Sequence, residues 1–480
     1  MNITDLQKEL DRCAKCGQCR SVCPVFLALK DETLVARGRL AIIQARSVAL
    51  SLRGSPTGTT EAISNQTGLP RSSDVTSDSL AMTQEADVSP LYTKILNTCL
   101  MCRRCEENCP SLVETGKVFK SERQRIAQEK GLPLLLRLGF RWVLPNRWLY
   151  DSVMRIASWV MCLRPKTPNA PRSTLGVYTE RSECAQRPLR HLPLYFANLF
   201  QRMPRLASKS ALQVRHSSLG ISHSPTVSIF VGCVANYIYP EIIEALVSIL
   251  ERLKIPYVIP QTQVCCGMPA LLSGDEQSAQ CLMKMNQEAF KTETIITVCP
   301  TCNRMLTEEY ALKGVKVLDA VEFLNEASNL VLRPSSLGIR SAYHTPCHSA
   351  GTKAPEIIKA FLKTNTDYQE IDDICCGGGG LFTFKYPELS DLIGKVRMDG
   401  IEHIAKSIEG KDSTLGVYTE RSECASRSTL NVVTNCPGCL MQLEYLLLGN
   451  PDIRVRHALN LIADVNGAHK TGQPVPHTHK

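Results

Sequence analysis

Residues 13–24 read CAKCGQCRSVCP and residues 99–110 read CLMCRRCEENCP. Both strings space cysteine as C-x2-C-x2-C-x3-C and follow the last one with proline. The same pattern thus occurs twice, as Cys13, Cys16, Cys19 and Cys23 and as Cys99, Cys102, Cys105 and Cys109. Three thiolates two residues apart on a tight loop can cap three irons of one [4Fe–4S] cube, while the fourth leaves the loop. In two-cluster arrangements that fourth thiolate ligates the other cube. The spacing therefore predicts Cys13, Cys16, Cys19 and Cys109 on one cluster, and Cys99, Cys102, Cys105 and Cys23 on the other. Zinc is the alternative, but closed zinc sites favour paired C-x2-C units over triplets.

Ten further cysteines fall into two matching sets. In the first, Cys233 ends the apolar run SIFVGC, Cys265-Cys266-Gly267 follows, and Cys299-Pro300-Thr301-Cys302 closes it. In the second, Cys347 lies in YHTPCH, followed by Cys375-Cys376-Gly377 and Cys436-Pro437-Gly438-Cys439. Adjacent cysteines cannot both be core residues of one strand, because successive side chains point to opposite faces. The glycines behind them, Gly267, Gly377 and Gly378, let the backbone turn and approach a bulky inorganic centre, and are read as its collar. Five soft thiolates in each set suit an iron–sulfur centre; a zinc site using four of the five is the alternative. His344 and His348 flank Cys347 and are read as hydrogen-bonding neighbours of the site. The run Gly377–Gly380 lacks the Lys-Ser/Thr of a phosphate loop and the spacing of a dinucleotide fingerprint.

The chain has 480 residues, 22 of them cysteine, and its N-terminus, MNITDLQKELDRC, has neither the basic nor the apolar region of a secretory signal. No uncharged apolar run reaches the ~18 residues of a membrane span. The expectation is a cytoplasmic protein in which regularly spaced cysteines are metal ligands, not disulfides. With 44% hydrophobic and 21% charged residues it is globular, and 6% aromatics argue against a base-stacking nucleic-acid surface. The net charge of +9 is compatible with an acidic partner or a membrane surface but is spread over a long chain.

Four cysteines remain. Cys281 and Cys162 are read as small buried hydrophobes. Cys184 and Cys424 belong to a 13-residue segment, STLGVYTERSECA, that occurs identically at 173–185 and 413–425. The second copy lies between Cys376 and Cys436, where 59 residues intervene against 32 between Cys266 and Cys299. Both copies read as insertions on surface loops, where added length costs little entropy.

The expected architecture is α+β and multidomain. Residues 1–130 form an α-helical two-cluster ferredoxin domain interrupted by a polar loop, 51–90, with 14 Ser or Thr in 40 residues. Within it Arg37, Gly38 and Arg39 start either a helix packed on a cluster or an ordinary solvated one. Residues 131–222 form a helical connector carrying the first insertion. Its stretch 131–166 holds Trp142, Trp148 and Trp159 among leucines and arginines, split by Pro145; core packing or partner docking is favoured over a lipid interface. Two α/β cysteine-rich domains follow at 223–330 and 331–466, the second with the other insertion, and 467–480 is a frayed tail. In each half, alternating strands and helices predict a short parallel sheet with cysteines at the strand C-terminal ends. Helix N-termini behind Cys299 and Cys436 favour their thiolates.

LNTCLMCRRCEENCPS (96–111), CCGGGGLF (375–382) and VVTNCPGCLMQL (432–443) resemble the iron–sulfur subunit of glycolate oxidase (glycolate dehydrogenase), of the CCG-domain family. The arrangement is also similar to iron–sulfur subunits of D-lactate dehydrogenases, the lactate-utilisation family, anaerobic glycerol-3-phosphate dehydrogenase and heterodisulfide reductase. The resemblance implies a cytoplasmic or peripherally membrane-associated electron-transfer subunit. It implies a separate FAD-binding partner that oxidises a 2-hydroxy acid and a quinone-side acceptor. This chain itself shows no flavin or NAD fingerprint and no catalytic Ser/His/Asp array, so no catalytic residue is assigned in it.

Overall fold

Two units make up the chain: Met1–Pro133 with Leu272–Gly274, and Leu134–Leu271 with Asp275–Lys480. The computed structural model describes residues 3–53, 88–162, 227–328, 338–412, 429–448 and 450–465. Both copies of the repeated segment, most of the 51–90 loop, the connector beyond 162 and the 467–480 tail lie outside the described residues.

The first unit is helical among its described residues. Helices Ile3–Asp11, Ala36–Arg53, Pro90–Asn97 and Thr115–Lys130 surround two short helices, Cys19–Val22 and Arg104–Glu107, each beginning within a cysteine triplet. Pro90 occupies the first turn of its helix, and the Ser89 hydroxyl accepts the Tyr92 N–H at 3.1 Å, so this helix start is written locally. Leu10, Leu40, Ile43, Leu96, Val118 and Phe119 form the core. Two buried arginines secure the end of Pro90–Asn97, where the last carbonyls have no helical partner. Arg39 donates to the Ile95 carbonyl at 2.9 Å, and Arg123 donates to those of Leu96 at 2.9 Å and Cys99 at 2.6 Å. Arg39 therefore belongs to a helix packed on the cysteine loops; its charge is satisfied by helix-end carbonyls.

In the second unit two four-stranded parallel sheets repeat one topology. The first contains β1 (Val227–Phe230), β2 (Tyr257–Val258), β3 (Thr294–Thr297) and β4 (Lys316–Asp319) in the order β2-β1-β3-β4. The second contains β5 (Arg340–Tyr343), β6 (Asp367–Gln369), β7 (Leu430–Thr434) and β8 (Ile453–His457) in the order β6-β5-β7-β8. The central strands are buried along their whole length, which is why SIF and LNVV read as apolar runs without alternation. Chain direction across each sheet reverses at β1/β3 and β5/β7, the switch points where such sheets open a crevice at the strand C-termini. Cys233 and Cys299 follow β1 and β3, and Cys347 and Cys436 follow β5 and β7.

The two repeats exchange helices reciprocally. Helix Pro240–Arg252 of the first packs on Ala458–Val465 of the second, and Ala320–Ser328 packs on Ala354–Asn365. One apolar core runs through both, including Ile242, Leu246, Phe361, Val433, Leu459 and Ile462.

One sequence expectation is corrected, and one of the two readings favoured for 131–166, core packing, does not hold for two of its tryptophans. Cys281 is exposed: Ser278, Ala279, Leu282 and Asn286 form the buried face of helix Glu276–Ala289, and Cys281 lies off it. Trp142 and Trp148 are 60% and 76% exposed, so neither ring fills a core. Helix Arg147–Cys162 is instead held by Tyr237, whose hydroxyl donates to Asp151 at 2.6 Å, and by Arg147, which donates to the Gln261 carbonyl at 2.6 Å. No helix among the described residues is long and apolar enough to cross a membrane.

Removing a buried charge-assisted donor leaves its carbonyls unpaired, so Arg39→Met should destabilise the first unit by roughly 3 kcal/mol. Thermal unfolding with iron retention checks this; an unchanged melting profile would contradict it.

Candidate metal centres

The two cysteine triplets of the first unit adopt the same turn. Lys15 and Gly17 have φ values of 54° and 87°, and Met101 and Arg103, at the same places in the second triplet, have 57° and 61°. Non-glycine residues rarely sit there, and three of these four are non-glycine, so the loop is held by its surroundings. The turn brings amide N–H groups to sulfur: Met101 donates to Cys99 Sγ at 3.4 Å, and in the same unit Val113 donates to Cys109 Sγ at 3.5 Å. One cavity is lined by Cys23, Cys99, Cys102 and Cys105, with Arg39 and Phe119 on its wall. Cys23 thus leaves its own triplet and joins the other one. Burial holds the Cys23 thiol above its ordinary value, opposed by nearby backbone N–H groups and by Arg39. Burial likewise raises Cys105, with Cys99, Cys23 and Cys19 adding to it. Cys13 and Cys19 are half-buried neighbours, Cys109 is half-buried and Cys16 is exposed.

In the second unit the paired cysteines lie on loops, and both members of each pair are buried. Sulfur follows sulfur within hydrogen-bonding reach from Cys233 to Cys265, Cys266, Cys302 and Cys299. From Cys299 the line crosses to Cys436 of the other repeat and continues through Cys439 and Cys376 to Cys375. Nine sulfurs therefore form one continuous line across both repeats. Cys347 begins the single turn Cys347–Ser349 and is half-buried. Nothing in the spacing foretold this junction; it follows from the reciprocal helix exchange, which turns the two crevices toward each other.

The thiols share few negative charges. Hydrogen bonds from Cys265 and Cys302 bring Cys266 down to about 6. Cys299, accepting from Cys302 and Cys436, and Cys376, accepting from Cys375 and Cys439, lie well below the ordinary value. Their donors Cys302, Cys436 and Cys439 are raised well above it. Cys299 and Cys436 both cap helix N-termini, yet only Cys299 favours the thiolate. At Cys436 the hydrogen bond to the Cys299 sulfur is the largest cause and raises the thiol. More thiolates in so dry a site require positive charge, which a bound metal supplies.

The backbone is shaped for such a group. A Cβ on Gly232 would lie 3.2 Å from Cys302 Sγ, and one on Gly378 3.3 Å from Cys376 Sγ. Gly377, at φ +79°, sends its N–H to Cys375 Sγ at 3.4 Å, while its carbonyl accepts from Ser390 at 2.8 Å and that of Gly378 from Thr383 at 3.1 Å. Gly267 takes the same turn at φ +90°. These soft, buried, closely approached donors fit a metal–sulfur centre.

Polar neighbours join the repeats behind the sulfurs. Asn435, next to Cys436, donates to Asp319 of the first repeat at 3.2 Å and accepts from the Tyr343 hydroxyl at 2.8 Å. His348 Nδ1 lies 2.8 Å from Thr301 Oγ1, bridging the repeats beside Cys299 and Cys302. His344 reaches Cys376 and Cys439, with ligand atoms of all three within 4.8 Å of one another. Asp319 and His457 occupy equivalent places, paired with Thr297 and Thr434 respectively, two residues before each C-P-x-C. Each accepts the N–H of the second residue ahead: Val321 to Asp319 at 2.8 Å, Leu459 to His457 at 3.3 Å. Burial raises the Asp319 carboxyl from 3.8 to about 7 and lowers His457 from 6.5 to about 4. Sequence reasoning passed over both, since a lone Asp or His after a short strand carries no pattern.

Comparison with known proteins accords with this geometry. Residues 9–113 match the 4Fe-4S dicluster domain, and 227–307 and 341–444 match the cysteine-rich domain called CCG. The chain is 24% identical to a probable glycolate oxidase iron-sulfur subunit of Bacillus subtilis, over 96% of this chain and 95% of that one. It is 23% identical to the glycolate oxidase iron-sulfur subunit of Escherichia coli, over 82% and 85%. Lactate utilization protein A 1 of Bacillus mycoides is 31% identical over 38% of this chain and 81% of its own length. Other similarities are partial: the match spans 35% of an uncharacterised iron-sulfur protein of Methanococcus maripaludis, and 52% of a Methanothermobacter marburgensis protein named as a subunit of fumarate reductase (CoM/CoB).

The glycines and the two buried titratable groups, Asp319 and His457, can each be tested. A Cβ at Gly377 would lie 2.4 Å from the Ser390 carbonyl oxygen, whereas at Gly267 its nearest neighbour would be 3.4 Å away. Gly377→Ala should therefore displace Cys376 and release metal from the second set. Gly267→Ala should cost only the left-handed strain, about 1–2 kcal/mol, and keep its metal; equal metal loss in both would contradict this. Asp319, raised in the fold, stabilises below 3.8 and loses that contribution as pH rises through about 7; His457, lowered, stabilises above 6.5 and loses it as pH falls through about 4. The shifts correspond to roughly 4 kcal/mol for Asp319 and roughly 3 kcal/mol for His457. Melting temperatures from pH 4 to 7 should rise with pH in Asp319→Asn relative to the parent and fall in His457→Gln; parallel curves would refute the assignment.

Proposed function

The chain belongs to the family of iron–sulfur subunits that combine a 4Fe-4S dicluster domain with cysteine-rich CCG domains, and we propose that it is the electron-transfer subunit of a glycolate dehydrogenase. In this proposal a partner FAD subunit oxidises the 2-hydroxy acid and a quinone-side acceptor takes the electrons, with the assembly cytoplasmic and peripheral to the membrane. The observation that carries the reading is the union of both cysteine-rich sets into one buried line of sulfur, in a chain that also builds a dicluster domain.

Cys13, Cys16, Cys19 and Cys109 would hold one [4Fe–4S] cluster, and Cys99, Cys102, Cys105 and Cys23 the other. Cys233, Cys265, Cys266, Cys299 and Cys302 would hold one further centre, and Cys347, Cys375, Cys376, Cys436 and Cys439 its counterpart. Bound there, iron–sulfur groups supply one-electron carriers. Around them the chain excludes water, directs the amides of Met101 and Val113 at sulfur in the first unit, and fixes the junction of the repeats through Asn435, Asp319 and Tyr343. Buried thiolates at Cys266, Cys299 and Cys376 favour a second reading, thiol–disulfide chemistry at the same site.

Anaerobic co-expression with candidate flavoproteins distinguishes the two. The expected result is a complex that reduces dye with glycolate and bleaches the iron–sulfur absorbance of this chain. Bleaching by D-lactate alone would reassign the substrate. Reoxidation of the reduced chain by a disulfide, with no response to any 2-hydroxy acid, would overturn the proposal in favour of thiol chemistry.

A further inference from the structure

The two cysteine-rich sets are built alike except at one place beside the sulfurs. In the first repeat Phe230 pairs with Thr297, two residues before Cys299. In the second, Tyr343 pairs with Val433, which puts His344 opposite Thr434, two residues before Cys436. The His344 N–H also bonds the Val433 carbonyl at 2.8 Å, continuing that ladder. His344 is therefore the counterpart of Phe230. Phe230 is fully buried and stacks on Phe290 at 5.5 Å, filling its place with hydrocarbon. His344 is 1% exposed and extends its imidazole to Cys376 and Cys439.

We propose that the His344 imidazole donates an N–H hydrogen bond to the Cys376 sulfur and thereby makes the second set the more readily reduced of the two. This rests on the reading of both sets as iron–sulfur centres. Reduction places added negative charge on sulfur, and a donor fixed on that sulfur stabilises the reduced form, one of the means by which a protein sets such potentials. The glycine donor behind each cysteine pair is matched between the repeats. The Gly377 amide reaches Cys375 as the Gly267 amide reaches Cys265. Tyr310, near the first set, spends its hydroxyl on the Cys266 carbonyl at 2.9 Å, and Tyr150 lies at the far end, beside Cys233 and Cys265.

With one electron shared between iron–sulfur groups held by the two sets, the first would be oxidised by one electron as the second is reduced by one, with no proton transferred; Cys299 and Cys436 are where the two sets adjoin. In the complex the electron comes from the reduced flavin partner. In the test it comes from dithionite. His344 acts here as a positioning residue for charge and makes no bond to the substrate.

The test uses the full chain, loaded anaerobically with iron and sulfide, as the parent, His344→Phe and His344→Gln. Iron, zinc and acid-labile sulfide are counted, and each chain is titrated with dithionite under EPR detection. His344→Phe, which gives the second repeat the residue class of the first, should retain parental iron. It should shift the electron partition at least tenfold toward the first set, 59 mV for a one-electron step. His344→Gln, which keeps an N–H donor, should recover most of the parental partition. Parental iron with an unchanged partition in His344→Phe would overturn the role of His344 and leave the paired-centre reading standing. Loss of second-set iron in both variants, or nitrogen hyperfine coupling of directly bound strength in the parent, would make His344 a ligand and overturn it too. A parent with zinc in the cysteine-rich sets and iron only in the first unit would overturn the paired-centre reading itself.

Discussion

A buried sulfur that carries charge must be compensated, and the second unit is arranged around that constraint. Nine thiols lie in one line; Cys266, Cys299 and Cys376 are drawn toward the thiolate, while Cys302, Cys436 and Cys439 are raised and keep their protons. An assembly of this kind is poor as a hydrophobic core and inefficient as a set of independent thiols. It becomes favourable when a metal–sulfur group ionises the cysteines and shares the charge. The glycines that approach sulfur, the helix-end amides and the buried Asn435–Asp319–Tyr343 bonds all hold that line in place.

The reciprocal helix exchange sets where the line closes. Each repeat alone would expose an apolar helix on one side of its parallel sheet. Packing Pro240–Arg252 on Ala458–Val465, and Ala320–Ser328 on Ala354–Asn365, covers both and brings the strand ends face to face. Cys299 and Cys436 meet because each caps the helix after an inner strand of its sheet. Pseudo-symmetry holds for the backbone and the cysteines but not for their neighbours, where His344 stands in the second repeat at the place of Phe230 and His457 at the place of Asp319. Those substitutions are where two chemically alike sets can come to differ in redox behaviour.

Much of this was legible in the residues. The doubled C-x2-C-x2-C-x3-C run named the first unit, and the apolar runs at 227–230 and 430–434 marked parallel strands because strands buried on both faces lose alternation. The cysteines at strand ends followed from the topology of such sheets. Three things were not legible. The meeting of the two sets depends on helix packing between the repeats, including that of Pro240–Arg252 on the distant Ala458–Val465. Cys281 was misjudged as buried, and core packing was weighed for Trp142 and Trp148, which are exposed, because an apolar residue type does not reveal which helix face it occupies. Arg39 looked equally like a solvated residue, and only the carbonyls at the end of Pro90–Asn97 show why it is buried.

Anomalous diffraction from anaerobically grown crystals, recorded on either side of the iron edge, addresses the joined sulfur line most directly. Iron is expected at the Cys23–Cys99–Cys102–Cys105 cavity and at its partner loop, with two more iron centres on the cysteine-rich sets, adjoining at Cys299 and Cys436. Iron confined to the first unit, with zinc or no metal along the sulfur line, would contradict the joined centre.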